Sequence, residues 1–168
     1  FAAFDNEEVG SGTKQGAKSS FLRDVLERIC NNSETYKRAV AKSFMLSCDN
    51  AHAVHPNFAD KSDGTNRVYM NGGIVIKYNA NQRYTTDAVS EAVVKYVCKN
   101  AGVPYQMYAN RSDIPGGSTL GNLSNEKVSL NTADIGLAMP SSYETAGSRD
   151  TEYMVKMIKE FYKTEIVL

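Results

Sequence analysis

The amino-acid sequence predicts an α/β fold: a three-layer α/β/α domain with a mixed, largely parallel sheet. Two observations predict the layers. Short apolar segments of strand length alternate along the chain with segments whose apolar residues recur at helical spacing. Acidic, histidine-containing or glycine-rich segments follow several of the apolar ones. The length of 168 residues suits one domain of this kind.

The first half of the chain alternates predicted strands and helices. We expect a strand over residues 1–4, followed by an acidic turn at 5–12. Helical spacing predicts the first helix over 16–30, with the apolar positions Phe21, Leu22, Val25, Leu26 and Ile29. A second helix over 33–41, with Ser33 as its cap, should lead into a buried strand over 43–48 that has Asp49 at its carboxyl end.

The second half continues the alternation after a long irregular connection at 50–72, a length that is typical of functional loops. We expect a helix over 86–100, with Thr86 as its cap and Gly102 just beyond its end. The remaining predicted elements are strands over 73–78, 105–109 and 128–131 and a final helix over 149–163.

The expected ligand site lies at one end of the sheet. Ligands of α/β sheets bind beyond the carboxyl ends of the strands. Four segments with unusual residues follow predicted strands, so we expect them to meet there: 5–12, 49–57, 111–119 and 134–147.

Composition excludes several classes of function. The chain has 19 basic and 19 acidic residues and no net charge, which argues against nucleic acid and membrane surfaces as partners. No apolar run reaches the roughly 18 residues of a membrane helix. The three widely spaced cysteines fit a reducing compartment better than a disulfide framework. We therefore expect a soluble, cytoplasmic protein.

Two short motifs could carry metal chemistry. In Glu7-Glu8, one carboxylate could bind a divalent ion while the other removes a proton from bound water; the alternative is a solvated acidic turn. Both histidines of the chain, His52 and His55, lie within seven residues of Asp49. This cluster fits a zinc-type site, a hydrogen-bond donor to a carbonyl, or a loop in which the imidazoles bond to the backbone.

Two further features of the sequence give weaker indications of function. Lys77 lies inside an apolar strand, where it either points to solvent or reaches a buried acidic group. The glycine-rich turn at 112–119 precedes a predicted helix and offers backbone N–H groups to an anion, but no Walker-type lysine follows it, so a nucleotide-binding module is a distant alternative. The residues alone indicate a hydrolase or a metal-binding protein.

Longer motifs carry a resemblance to a known family. They are Asp-Asn-Glu-Glu-Val-Gly-Ser at 5–11, Asp-Asn-Ala-His-Ala-Val-His-Pro-Asn at 49–57, and the block 71–87, which begins Asn-Gly-Gly-Ile-Val-Ile-Lys-Tyr. Asn-Arg-Ser-Asp at 110–113, Gly-Ser-Thr-Leu-Gly at 117–121 and Asp-Ile-Gly at 134–136 continue the match in order. Together they strongly resemble the M18 metallopeptidases, the aspartyl aminopeptidase and aminopeptidase I group.

The resemblance implies a zinc-exopeptidase-like fold and a zinc-dependent aminopeptidase that removes acidic or neutral N-terminal residues from peptides at a centre of two Zn²⁺ ions. By motif, Glu7 corresponds to the general base that activates the bridging water, and Glu8 and Asp49 correspond to zinc ligands. It further implies that Lys77 faces inward toward an anionic group, and that members form large homo-oligomers. The residues that match the family's substrate-binding positions are His52, Lys77 and Tyr84.

Two departures from the family pattern change the expectation. The family's upstream His-x-Asp ligand segment, its bridging aspartate and its dimerisation domain have no counterpart here, and Pro140 stands where a zinc-ligating histidine is expected. We therefore expect residues 1–168 to be the carboxyl-terminal part of a catalytic domain, incomplete on its N-terminal side and inactive alone. The alternative is a degenerate, non-catalytic homologue that serves as a peptide-binding or oligomerisation module.

Overall fold

The structure is a computed structural model that describes residues 1–140 and 146–167. It confirms the α/β class, with a mixed four-stranded sheet between helices. A second, two-stranded sheet pairs β2 with β6 in parallel. The strands are β1 (Phe44–Cys48), β2 (Ala51–His52), β3 (Ile74–Tyr78), β4 (Tyr105–Ala109), β5 (Asn131–Gly136) and β6 (Ala138–Met139).

Helices cover both faces of the main sheet. On one face, α3 and α5 bury the main apolar core, to which β3 contributes Ile74 and Ile76 and β5 contributes Ile135. On the opposite face, α4 brings Gly121 against Ser47 of β1. The helices are α1 (Phe21–Cys30), α2 (Ser33–Ala41), α3 (Ala88–Ala101), α4 (Leu120–Asn125) and α5 (Ser148–Phe161).

The strand directions correct one expectation. The order is β1-β5-β3-β4; β1 and β5 are parallel, β3 and β4 are parallel, but β3 runs antiparallel to β5. The carboxyl ends of β1 and β4 therefore lie at opposite ends of the sheet. Segment 111–119, which follows β4, does not gather at the end where Asp49 follows β1, so the prediction of one shared end was wrong.

Two predicted strands differ from the structure. Residues 1–4 form no strand with any described part of the chain; instead, the Phe4 ring packs edge-to-face on Phe21 with the ring centroids 6.3 Å apart. The strand predicted over 128–131 runs from Asn131 to Gly136. Val128 belongs to the turn after α4, because its N–H donates to the Ser124 carbonyl at 3.0 Å.

The helices match the predictions more closely, with corrected ends. The first helix begins at Phe21, and residues 16–20 form turns. Asn32, and not Ser33, caps α2 by accepting a hydrogen bond from the Thr35 N–H at 2.8 Å. Asp87, and not Thr86, caps α3 in a capping box with Ser90.

Neither α3 nor α5, each 14 residues long, nor any other helix in residues 1–140 and 146–167 has the length and apolar character needed to cross a membrane.

Candidate active site

The Glu7-Glu8 pair lies on a short 3-10 turn, Glu7–Val9, with both residues exposed. Asn6, just before it, has a left-handed φ of 59° and donates through Nδ2 to the Thr13 Oγ1 at 3.0 Å. Further along this loop, Ala17 is buried and its carbonyl accepts a hydrogen bond from Ser124 of α4. The loop that carries the two carboxylates is thus tied at Ala17 to α4.

Asp49 is fixed by the backbone directly after β1. Its N–H donates to the Ile135 carbonyl at 3.0 Å, which continues the pairing with β5. A Cβ at position 136 would lie only 2.0 Å from the Asp49 carbonyl oxygen. Gly136 therefore allows the two chains to approach closely enough to hold Asp49 in place.

Lys77 points inward, as the resemblance implied, and its side chain is only 3% exposed. The Nζ lies 3.3 Å from the Asp49 Oδ2 and also donates to the carbonyl oxygens of Asp49 at 3.3 Å and Asn50 at 3.1 Å. All three ammonium hydrogens therefore have acceptors. The side chain reaches along the sheet face and joins β3 to the end of β1.

Tyr84 forms the wall beside this ammonium group. The Lys77 Nζ lies 4.8 Å from the centre of the Tyr84 ring, within the range of a cation–π contact. The ring is buried and packs 6.4 Å from the Tyr108 ring, whose hydroxyl accepts a hydrogen bond from Asn110. Burial raises the pKa of the Tyr84 phenol, and the Asp49 carboxylate adds to this rise.

Glu7 belongs to the same cluster of charges. Partial burial raises the pKa of its carboxyl group, the carboxylates of Asp49 and Glu8 raise it further, and the Lys77 ammonium opposes them. The charges of Glu8, Asp49 and Lys77 thus act on Glu7, while Lys77 contacts both Asp49 and Tyr84.

The two histidines lie differently. His52 is exposed on β2, directly opposite Met139 of β6, so Pro140 follows the residue that pairs with it. His55 is bonded locally: its Nδ1 accepts a hydrogen bond from the Asn57 N–H at 3.1 Å. His52 is therefore the histidine that lies exposed on a strand, whereas the hydrogen bond from Asn57 holds His55 within its loop.

The side chains of the described residues do not fit a complete zinc site. Within 1–140 and 146–167, no three His, Cys, Asp or Glu side chains cluster closely enough to hold a metal ion. Catalytic zinc sites use three protein ligands and an open position. In the segment that departs from the family pattern, the side chain of Pro140 has no atom that could bind a metal. Residues 141–144 of this segment lie outside the described part of the chain.

Sequence reasoning gave no role to Asp134, which the structure buries completely beneath this region. Its Oδ2 accepts hydrogen bonds from the Thr85 N–H at 2.5 Å and the Thr85 hydroxyl at 2.6 Å. Two signals were available: an aspartate between apolar residues in a segment of strand length, and its place in the Asp-Ile-Gly motif at 134–136.

Clustered carboxylates beside a buried lysine, over one face of an α/β sheet, are typical of an enzyme active site. Comparison with known proteins identifies the family. A model described as aminopeptidase I zinc metalloprotease (M18) matches residues 1–162, and the chain belongs to this peptidase family.

Curated relatives are longer than this chain. It is 50% identical over 168 residues to the probable M18 family aminopeptidase 2 of Clostridium acetobutylicum, covering 96% of this chain and 39% of that protein. It is 44% identical over 161 residues to the protein of the same name from Pseudomonas aeruginosa (strain UCBPP-PA14), covering 94% and 38%. The chain therefore spans about two fifths of the length of these relatives.

Solved structures agree on the fold. The cryo-EM structure of the Ape4 and Nbr1 complex contains a chain with a TM-score of 0.91 and 41% identity, covering 96% of this chain and 32% of that one. The crystal structure of yeast aminopeptidase 1 gives a TM-score of 0.78 and 30% identity, covering 95% and 37%. The S. cerevisiae mApe1 dodecamer gives 0.81 and 29%, covering 95% and 36%.

Proposed function

We propose that this chain supplies the proton-transfer and substrate-positioning part of a zinc aminopeptidase. The observation that carries the proposal is the Asp49–Lys77 pair: a carboxylate lies 3.3 Å from an ammonium group that is buried from solvent. The Glu7 carboxyl group is near enough to both for their charges to shift its pKa. Membership in a zinc metalloprotease family supports peptide hydrolysis as the reaction.

In this proposal Glu7 is the general base. It is exposed at the end of a loop that is anchored at its base, so its carboxylate can reach an attacking water. The same carboxyl group can then return the proton to the amine that leaves the cleaved peptide bond. Glu8 and Asp49 are the proposed metal ligands, and they are too few to hold zinc without further groups.

Lys77, Tyr84 and His52 are the proposed substrate-binding residues. Lys77 lies with Tyr84 in a buried wall, and its positive charge, which it shares with Asp49, attracts an anionic group of the substrate. This supports peptides with an acidic N-terminal residue as substrates, and we include neutral residues because the family resemblance implies them. His52, exposed at the strand end beside them, is placed to donate a hydrogen bond to a substrate carbonyl.

Two further proposals, on the domain and on the assembly, are made by comparison with the relatives. We propose that residues 1–168 form the carboxyl-terminal portion of the catalytic domain, without the dimerisation domain, and that the full gene product is a homo-oligomer. One solved relative is a dodecamer. A cytoplasmic location is supported by the three cysteines, which all lie in the described part and carry free thiols.

A non-catalytic homologue is the second candidate. Pro140 at the position of an expected ligand favours it, as does the lack of a three-ligand cluster in the described residues. Such a protein would keep the fold and bind peptides or assemble with other subunits without cleaving peptide bonds.

Peptide turnover by the full gene product separates the two candidates. With zinc present, we expect release of aspartate, glutamate or a neutral residue from short peptides with a free N-terminus, and no cleavage of the same peptides after N-acetylation. Binding of the free peptides without any cleavage would support the non-catalytic candidate and contradict the proposed function.

A further inference from the structure

Asp134 carries an unexplained buried charge. It lies in the middle of β5, is 0% exposed, and faces the sheet side that holds Lys77. Within the described residues its Oδ1 has no hydrogen-bond partner, and it lies 3.2 Å from the place a Cβ at position 121 would occupy. A buried carboxylate without an ammonium or guanidinium partner is costly. A buried carboxyl group in this position therefore calls for a role beyond packing.

Apart from its pairing within the sheet, the described hydrogen bonds of Asp134 go to the segment that follows Tyr84. Its Oδ2 accepts from both the N–H and the hydroxyl of Thr85. Its backbone N–H donates to the Thr86 Oγ1 at 2.9 Å. The residues that these hydrogen bonds join are 48 and 49 positions apart in the sequence. The bonds therefore hold Thr85 and Thr86 against strand β5 of the sheet.

Fixing this segment also fixes the Tyr84 ring. Tyr84 directly precedes the two threonines, and its ring lies 4.8 Å from the Lys77 Nζ. Lys77 in turn contacts Asp49 at 3.3 Å. A shift of Thr85 away from β5 would move the ring away from the ammonium group.

We propose that Asp134 is a positioning residue, whose buried carboxylate binds Thr85 and thereby holds the Tyr84 ring against the Lys77 ammonium group. This inference deepens the proposed function, because it adds a supporting residue to the same site. Asp134 itself touches neither Lys77 nor Asp49 through a hydrogen bond in the described residues.

The test is an NMR measurement on the chain itself. An aromatic ring shifts the resonances of protons above its face upfield, so the ε-methylene protons of Lys77 should show such a shift. Lysine labelled with ¹³C at Cε gives the signal, and Lys77→Arg identifies it by removing it. We expect Asp134→Asn to abolish most of the shift, because a neutral amide weakens the charge-assisted bonds to Thr85.

Matched variants separate positioning from general stability. Thr85→Val removes the hydroxyl donor at constant size and should also reduce the shift, whereas Thr85→Ser keeps the hydroxyl and should preserve it. Asp150→Asn is the control: Asp150 is equally buried and accepts the N–H groups of Asn71 and Gly73. Gly73 lies four residues before Lys77, about 13 Å along the strand, so this variant should preserve the shift.

An unchanged Lys77 shift in Thr85→Val and Asp134→Asn would overturn the proposal, and so would an equal loss in Asp150→Asn. If Asp134→Asn does not fold, the comparison of Thr85→Val with Thr85→Ser decides. The result is independent of catalysis. A gene product without any peptidase activity would contradict the proposed function and leave the NMR result valid.

Discussion

Replacing Glu7 by Gln in the full gene product is expected to lower kcat for a peptide with an N-terminal aspartate by about 10²–10⁴-fold, the usual contribution of a general base. The amide keeps the size of the side chain but cannot accept the proton. Glu7 is exposed, so the melting temperature should not change. Steady-state kinetics with zinc analysis of the same sample measures both quantities.

Glu34→Gln is the matched control for this prediction. Glu34 is also an exposed glutamate in a first helical turn, but it lies on α2, away from the Asp49–Lys77 pair. It should keep full activity. A Glu7→Gln protein that retains activity within a few-fold of the unmodified protein would exclude Glu7 as the base.

Replacing Lys77 by Met is expected to have the second large effect. The change leaves the Asp49 carboxylate and the carbonyls of Asp49 and Asn50 without their donor. Because the Asp49 side chain is 37% exposed, water offsets part of the loss, and we expect a cost of about 2 kcal/mol. For a chain of this size that corresponds to a fall in melting temperature of roughly 4–8 °C.

The peptidase activity of Lys77→Met should fall by more than its loss of folding stability alone would cause. Lys77 holds the carboxylate of Asp49, a proposed metal ligand, and a charged hydrogen bond of this kind contributes roughly 1.5–3 kcal/mol. Because its loss leaves Asp49 unpositioned, kcat/KM for an acidic substrate should fall about 10- to 100-fold. Lys95→Met is the control, since Lys95 also pairs with a carboxylate, that of Glu91, and lies 5.4 Å from a tyrosine ring, but at the surface. Equal effects of the two changes on melting temperature and kcat/KM would show that the buried position of Lys77 carries no special role.

The elements that sequence predicted well share a local signal. The strands β1, β3 and β4 are continuous runs rich in apolar residues, and α3 and α5 have regular apolar spacing. For β5 the local pattern was misleading, because Thr132 and Asp134 look like turn or surface residues. Their burial depends on partners from distant segments, such as Thr85, which no local pattern contains.

In the candidate site, too, local motifs predicted some features, whereas others depend on contacts between distant segments. Motifs pointed to Glu7, Asp49 and Lys77, but the direction of the Lys77 side chain depends on the close approach of β1, β3 and β5. The antiparallel pairing of β3 with β5 was not predictable from the alternation of strands and helices, and it moves segment 111–119 to the other end of the sheet. The role proposed for Asp134 follows from long-range hydrogen bonds alone.

We propose above all that this chain carries a proton-transfer group and a positioned lysine, but too few ligands to hold a zinc centre. The most direct measurement is the zinc content of the purified 168-residue chain after dialysis, together with its turnover of an aspartyl peptide. We predict less than one zinc ion per chain and no turnover. Two tightly bound zinc ions per chain with turnover of the peptide would contradict the claim.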